Sequence, residues 1–368
     1  MRSQFKIYVS AALLMLAGAS ANAQTTAQKK QAEAFLTSAM VKEHIPGLAY
    51  AVIKKGTVIH TGVFGKANLS WNEKVTPSTV FQVASVSKVF CGVLLARLFD
   101  AGVLKPEQKL SELIKDIPET WNDITIIQLA SHESGIKMAS FGSVNTSDEA
   151  LALAKKQDFQ FKPGENTSYM SSDFWVLQYI IEKKTGMLYF DALRTYVLEP
   201  LHMTNTNVTY MTEGMARTSD VLPNEATVYH YNAGNGKYRV GDFPFMASGY
   251  AAGGVLTSIT DFAKLACALD SKTFLSPASS NLVRNMYPTT SGGGYYGLGT
   301  IVRNYKGHKI VEHSGGPALA DFTRFDDEQL TVIVLANQRG FYPYLAKSVA
   351  SFYIPGLKKQ EVPKDYVF

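Results

Sequence analysis

Segments with strand character lie near the two ends of this chain, and the middle reads as helical. That split constrains the fold more than any other feature. Leu48 to Ile53 reads as a strand, Lys55-Gly56 as a hairpin turn and Val58 to Phe64 as its partner. Far along the chain, Tyr296 to Asn304, Lys309 to Ser314, Ala320 to Phe325 and Leu330 to Ala336 read the same way. Turn signals at Lys306-Gly307, Gly315-Gly316-Pro317 and Asp326-Asp327 separate them. Between these sets, helices are predicted over Leu110 to Ile114, Ile124 to Ser131, Glu149 to Lys155, Asp191 to Leu198 and Ser258 to Leu269. Another is capped by Ser172-Asp173 and ends at Gly186. Residues 207–247, rich in Asn, Gly, Thr and Tyr, read as an irregular excursion with a small hairpin. The expected fold class is α/β in the α+β sense. Both chain ends form one antiparallel sheet, flanked by helices over 28–43 and 342–352, with a mostly helical lobe inserted. Residues 24–84 and 284–368 would form the sheet part, and 85–283 the helical part, of a single domain.

The chain opens on Met1-Arg2 and Lys6, an apolar run from Ile7 to Ala19 and Ala21-Asn22-Ala23. This predicts a signal peptide over 1–23 and a periplasmic or secreted protein cleaved after Ala23. No other apolar run approaches membrane-spanning length, so no stable span is expected. The formal net charge of +5 includes Arg2 and Lys6, and no basic run is dense enough to suggest nucleic acid. Two cysteines, Cys91 and Cys267, sit within apolar helical patterns and read as buried free thiols. A small-molecule or peptide substrate, cell-wall peptides included, and a monomer are the expectations for partners.

The strongest helix is predicted from Val86, with apolar residues at 86, 89, 90, 93, 94 and 98 and Gly102 as its stop. Ser85 and Lys88 lie at i and i+3 in its first turn and share one face. A hydroxyl beside an ammonium at the positive end of a helix is a candidate activated nucleophile. Ser3 to Lys6 and Ser134 to Lys137 share the S-x-x-K spacing, but neither opens an apolar helix. Two further constellations follow in order: Tyr169-Met170-Ser171 before the Ser172 helix, and His313-Ser314-Gly315-Gly316 at a strand end.

The series S-x-x-K, Y-x-S and H-x-G-G resembles the serine β-lactamase and penicillin-recognising superfamily. The branch is that of class C β-lactamases, DD-peptidases, D-aminopeptidases and related esterases. The resemblance extends over I-P-G-L-A-Y-A-V-I-K-K-G (45–56), L-A-S-H-E-S-G-I (129–136), I-I-E-K-K-T-G (180–186), L-E-P-L-H-M-T-N-T (198–206) and G-G-V-L-T-S-I-T-D-F-A-K-L (253–265). It implies a β-lactamase/transpeptidase-like fold and an exported serine hydrolase without cofactor. Ser85 would form the acyl-enzyme, with Lys88 and Tyr169 moving its proton. The Ser85 and Gly316 N–H groups would form the oxyanion hole, Gly315 would let the strand approach substrate, and His313 and Ser171 would contact it.

Two departures bear on substrate. Ser171 stands where the family most often carries Asn, and His313 stands where typical β-lactamases carry Lys. Both favour an ester or a D-amino-acid peptide over efficient β-lactam turnover. Glu133, in a segment similar to H-T-S-G, reads as a mild change. A true class C β-lactamase or DD-carboxypeptidase is the alternative among enzymes, and a non-catalytic peptidoglycan- or partner-binding relative the alternative outside them. No G-x-S-x-G elbow or H-E-x-x-H motif occurs, the histidines show no H-x-H pairing, and Gly292-Gly293-Gly294 lacks the Lys-Ser/Thr of a phosphate loop. No metal is expected.

Overall fold

The computed structural model describes residues 26–363 except 140–143, 209–210, 213–217, 242–244, 293 and 317. The expected signal peptide lies outside the described residues. The strands are β1 Gly47–Lys54, β2 Thr57–Asn68, β3 Glu73–Lys74, β4 Val80–Gln82, β5 Thr206–Val208, β6 Met211–Thr212, β7 Thr218–Ser219, β8 Tyr229–Asn232, β9 Lys237–Val240, β10 Val255–Ser258, β11 Ile301–Tyr305, β12 His308–Gly315, β13 Ala320–Phe325, β14 Leu330–Ala336 and β15 Gln338–Arg339. The helices are α1 (26–42), α2 Ser87–Asp100, α3 Leu110–Leu113, α4 Ile126–Ala130, α5 Ser147–Ala154, α6 Ser171–Thr185, α7 Tyr189–Leu193, α8 Tyr250–Gly253, α9 Ile259–Asp270, α10 Pro277–Arg284 and α11 Leu345–Ala350.

The main sheet has the order β11-β12-β13-β14-β1-β2-β3 and is antiparallel throughout. Strands from the two chain ends meet where β1 pairs β14, Leu48 opposite Ala336 and Lys54 opposite Leu330. The hairpin turn falls on Lys55-Gly56, both at positive φ (50° and 72°), as a two-residue turn between right-twisted strands demands. The period-two alternation of β1 sorts its side chains to two cores. Leu48, Tyr50 and Val52 pack with Leu36 of α1 and Val349 of α11. Ala49, Ala51 and Ile53 join the larger cluster that contains α2 and α9. The sheet is thus covered on both faces, which is why β1 is buried almost to its end.

α2 is fully buried at Val86, Val89, Phe90, Val93, Leu94 and Leu98, and Ser87, Lys88, Cys91 and Gly92 are buried too. It is a central helix, not an amphipathic surface one. A Cβ on Gly92 would fall 1.9 Å from the Leu298 carbonyl oxygen, so only glycine lets the 297–299 loop lie on this helix. That contact accounts for one difference from the sequence reading. The strand predicted over Tyr296 to Asn304 begins only at Ile301, because the preceding residues pack α2.

The middle is less purely helical than expected. β10 pairs with both β4 and β5, and β8 and β9 make the small hairpin of the excursion. The predicted Asp191 to Leu198 helix changes to a π-turn over Arg194–Leu198. Helix α10 was not anticipated, although Ser276 caps it and Pro277 opens it. Both cysteines are free thiols; Cys91 is buried and Cys267 half-buried. Among the described residues, no helix is long and apolar enough to cross a membrane.

Candidate active site

Ser85 lies in a 3-10 turn, Ala84–Val86, that joins β4 to α2. Between Thr79 and Ala96 it is the only residue that is not buried. The N-cap of α2 is Val86 and no side chain caps it, so the Ser85 hydroxyl is not spent on the helix. Ala84, immediately before it, has φ 44°, a left-handed conformation unusual for a residue with a Cβ.

One turn on, Lys88 is fully buried. Its Nζ donates to the Ala252 carbonyl of α8 at 2.7 Å. The ammonium lies 4.8 Å from the Tyr169 ring centre and 5.3 Å from that of Phe174. Two π faces and one carbonyl thus replace its hydration shell. Tyr169 is half-buried, its ring centre 4.7 Å from that of His132, 6.0 Å from His313 and 6.3 Å from Tyr296.

The third constellation closes over the serine. A Cβ on Gly315, at the end of β12, would sit 1.9 Å from the Val83 carbonyl oxygen and 3.4 Å from the Ser85 nitrogen. Glycine is therefore what lets β12 lie against the serine turn. Gly316 follows in the half-exposed turn. His313 is 4 % exposed, and its Nδ1 lies 2.7 Å from the Ser314 carbonyl oxygen. A carbonyl only accepts, so Nδ1 carries the proton and Nε2 presents a lone pair, with no hydrogen-bond partner among the described residues. Burial, reinforced by the Lys88 charge, pushes the imidazole down to about 3. The Nε2 of His313 is therefore a neutral hydrogen-bond acceptor.

The family model described as Beta-lactamase matches residues 30–350. The chain belongs to that family. It is 26% identical over 305 residues to penicillin-binding protein 4* of Bacillus subtilis (strain 168), covering 77% of this chain and 66% of that protein. It is 29% identical over 297 residues to unguisins hydrolase of Aspergillus campestris (strain IBT 28561), covering 74% and 54%. The chain thus spans less than two thirds of the length of these relatives. A penicillin-binding protein homologue from Pyrococcus abyssi, described as octameric, superposes with a TM-score of 0.74 at 25% identity, over 90% of this chain and 78% of that one. A SurE structure gives 0.74 at 21% identity, over 93% and 80%, a likeness of fold.

The β-lactamase family supports a serine hydrolase in general terms. In this member of it, the structure gathers Lys88, Tyr169 and His313 around one point, with Gly315 against the Ser85 turn. Ser171 is half-buried at the first position of α6. Ser172 and Asp173 do not cap α6 as expected. Its N-cap is Met170 without a side-chain bond, and the Ser172 Oγ accepts from the Ala139 N–H at 2.9 Å, because the 132–139 loop packs over the helix start. Sequence reasoning missed the rings of His132 and Tyr296 beside Tyr169, and that of Phe174 beside His132 and Lys88. The one signal was His132, within the 129–136 segment of the resemblance. A cleft of about 900 Å³ lined by Arg97, Lys264, Cys267 and Phe274 contains none of these groups. Among the described residues, no group of three or more His, Cys, Asp or Glu is arranged to hold a metal ion.

Proposed function

We propose that this chain is an exported serine hydrolase that works through an acyl-enzyme, on esters or D-amino-acid peptides in preference to β-lactams. The observation that carries the reading is Ser85 itself, the one accessible residue on an otherwise buried segment, one turn ahead of a buried lysine that sits beside a tyrosine. The Ser85 Oγ attacks the carbonyl carbon and passes its proton to the Lys88–Tyr169 pair. Collapse of the tetrahedral adduct breaks the bond to the leaving group, which takes its proton from Tyr169. Water then attacks the acyl-enzyme and gives its proton to the same pair, the bond between the acyl carbon and the Ser85 Oγ breaks, and Oγ regains that proton from the pair as the acid leaves. The Ser85 and Gly316 N–H groups receive the oxyanion.

The preference for esters follows from the departures in the second and third constellations. The neutral His313 supplies no cation for a β-lactam carboxylate, and Ser171 offers one hydroxyl where Asn would offer two donors and an acceptor. Esters depend least on leaving-group protonation. The signal peptide expected over 1–23 would carry the protein to the periplasm or outside the cell, to act there as a monomer on small molecules or cell-wall peptides. A fluorophosphonate adduct on the Ser85 peptide, found by mass spectrometry, tests the enzyme reading. Labelling of a different serine, or of none, would overturn it. A chromogenic cephalosporin, p-nitrophenyl butyrate and a D-Ala-D-Ala peptide assayed side by side would rank the substrates.

A further inference from the structure

His132 grips both sides of Tyr169. Its carbonyl oxygen accepts from the Ser168 N–H at 2.9 Å, and its Nδ1 accepts from the Met170 N–H at 3.2 Å. Its ring packs on the Tyr169 ring between those two bonds, at 4.7 Å between centres. The residue before and the residue after Tyr169 are therefore fixed by one side chain and its own carbonyl. For the carbonyl and ring nitrogen to reach the same segment, His132 adopts φ 59°. Such a conformation persists in a residue with a Cβ only where its surroundings hold it.

The same Nδ1 lies 2.9 Å from Asp173 Oδ2, with both side chains about 1 % exposed. Counting protons along this chain of bonds leaves one arrangement. The Met170 N–H points at Nδ1, so Nδ1 must be a lone pair; a proton there would face the amide hydrogen. A lone pair cannot donate to Asp173, so Oδ2 must bring the proton that joins them. At the other carboxyl oxygen, the Ser134 hydroxyl donates to Oδ1 at 2.5 Å, while the Ser134 Oγ accepts from the Ile136 N–H at 3.0 Å. Each hydrogen then has one acceptor, the Nδ1 lone pair being shared by the Met170 N–H and the Asp173 O–H, and neither side chain carries a charge.

The geometry points to His132 and Asp173 as positioning residues: we propose that a neutral, protonated Asp173 donates to His132, which clamps Tyr169 at the reacting centre. Burial acts in the same direction on both groups. It raises the Asp173 carboxyl well above the usual range, against the Ser134 bond and the Lys88 charge, and drives the His132 imidazole well below it, with Lys88 and His313 adding to the effect. The His132–Asp173 pair then carries no charge and works as a hydrogen-bonded brace with no part in proton transfer. The inference rests on the proposed role of Tyr169, but its protonation pattern can be read without any activity.

The test compares Asp173→Asn with Asp173→Ala. An amide donates through nitrogen to Nδ1 and accepts through oxygen from Ser134, so Asp173→Asn should keep kcat for p-nitrophenyl butyrate within about threefold. Asp173→Ala should lose at least tenfold in kcat with KM little changed. An ionised aspartate that accepted from an Nδ1–H could not be replaced by an amide in the same bonds, so a loss in Asp173→Asn of tenfold or more, like that of Asp173→Ala, overturns the proposal. Nitrogen NMR of histidine-labelled protein gives the second readout. His132 should show an unprotonated Nδ1 and a protonated Nε2 from about pH 5 to 8, unchanged by Asp173→Asn. An imidazolium or an Nδ1–H form would overturn the proposal even if Asp173→Ala fails to fold. If the unmodified protein neither hydrolyses the ester nor takes up fluorophosphonate, the hydrolase reading falls, while the NMR result still decides the protonation pattern.

Discussion

Replacing Glu133 with Gln should stabilise this protein at alkaline pH and leave it unchanged in acid. Glu133 is fully buried, and neither of its carboxyl oxygens has a hydrogen-bond partner among the described residues. The nearby Ser131 hydroxyl is spent on the Ile127 carbonyl at 2.8 Å, so it does little to offset the loss of water. Burial pushes the carboxyl from 4.5 up to about 7. Below about pH 4.5 the folded and unfolded chains both hold this proton, and the group costs nothing. As pH rises from there to 7, the unfolded chain releases the proton while the folded one keeps it, so stability falls. Above pH 7 the full difference is lost, about 3 kcal/mol at 1.36 kcal/mol per unit. Glutamine is neutral throughout and escapes that loss. An unfolding entropy of about 0.7 kcal/mol/K for a chain of this size converts the difference to about 4 °C. Thermal midpoints of the two proteins at about pH 4.5, 6 and 8 should therefore diverge steadily toward alkaline pH. A constant gap, or a less stable Gln variant at pH 8, would refute the reasoning.

Four other expectations concern the chemistry and the leader. Ser85→Ala should abolish turnover with the thermal midpoint nearly unchanged, because the hydroxyl caps no helix; activity that survives there but is lost in Ser134→Ala would point to the other serine. Lys88→Met and Tyr169→Phe should each lower kcat by at least about 10²-fold, and the double variant should be little worse than the poorer single one; multiplicative losses would mean that they act independently. At about pH 7.5, kcat/KM for p-nitrophenyl butyrate should exceed that for a chromogenic cephalosporin. Because His313 stays neutral, lowering the pH to about 5.5 should not selectively improve the cephalosporin; a selective gain would show that His313 charges. N-terminal sequencing of protein from its native host should begin at Gln24, and a cytoplasmic protein still starting at Met1 would remove the export proposal.

The parts of the fold that were legible are those written locally. The apolar run from Leu48 to Ile53, the Lys55-Gly56 turn and the long apolar helix after Ser85 each announce themselves within a few residues. β13 and β14 fall between the turn signals that bound them, at Ala320–Phe325 and Leu330–Ala336. The spacing of the three motifs led to groups that the fold brings together. Short strands such as β5 and β10 were not legible, because three or four residues carry too little pattern and each strand exists through its partner. Asp173 read as a helix cap because Asp at a helix start usually is one; only the 132–139 loop folding over it makes it an interior acid. Glu133 read as a mild change for the same reason, since no neighbour in sequence reveals that it lies away from water. The His313 tautomer depends on one carbonyl, that of Ser314, and sequence gives no sign of which way that group points.

Pairing between β1 and β14 also sets the order in which the molecule can be assembled. Lys54 and its neighbours cannot complete their ladder until Leu330 and the rest of β14 exist. At about 5–20 residues per second of synthesis, β1 and β2 wait on the order of 15 to 60 seconds as a two-stranded hairpin, which is marginal alone in water. During that interval the serine turn has no β12 edge against it. A nascent chain therefore passes most of its synthesis without a closed sheet or an assembled site, a condition suited to the export proposed for it. A chain terminated before β14 should stay protease-sensitive throughout β1 and β2, however well its helical middle has collapsed.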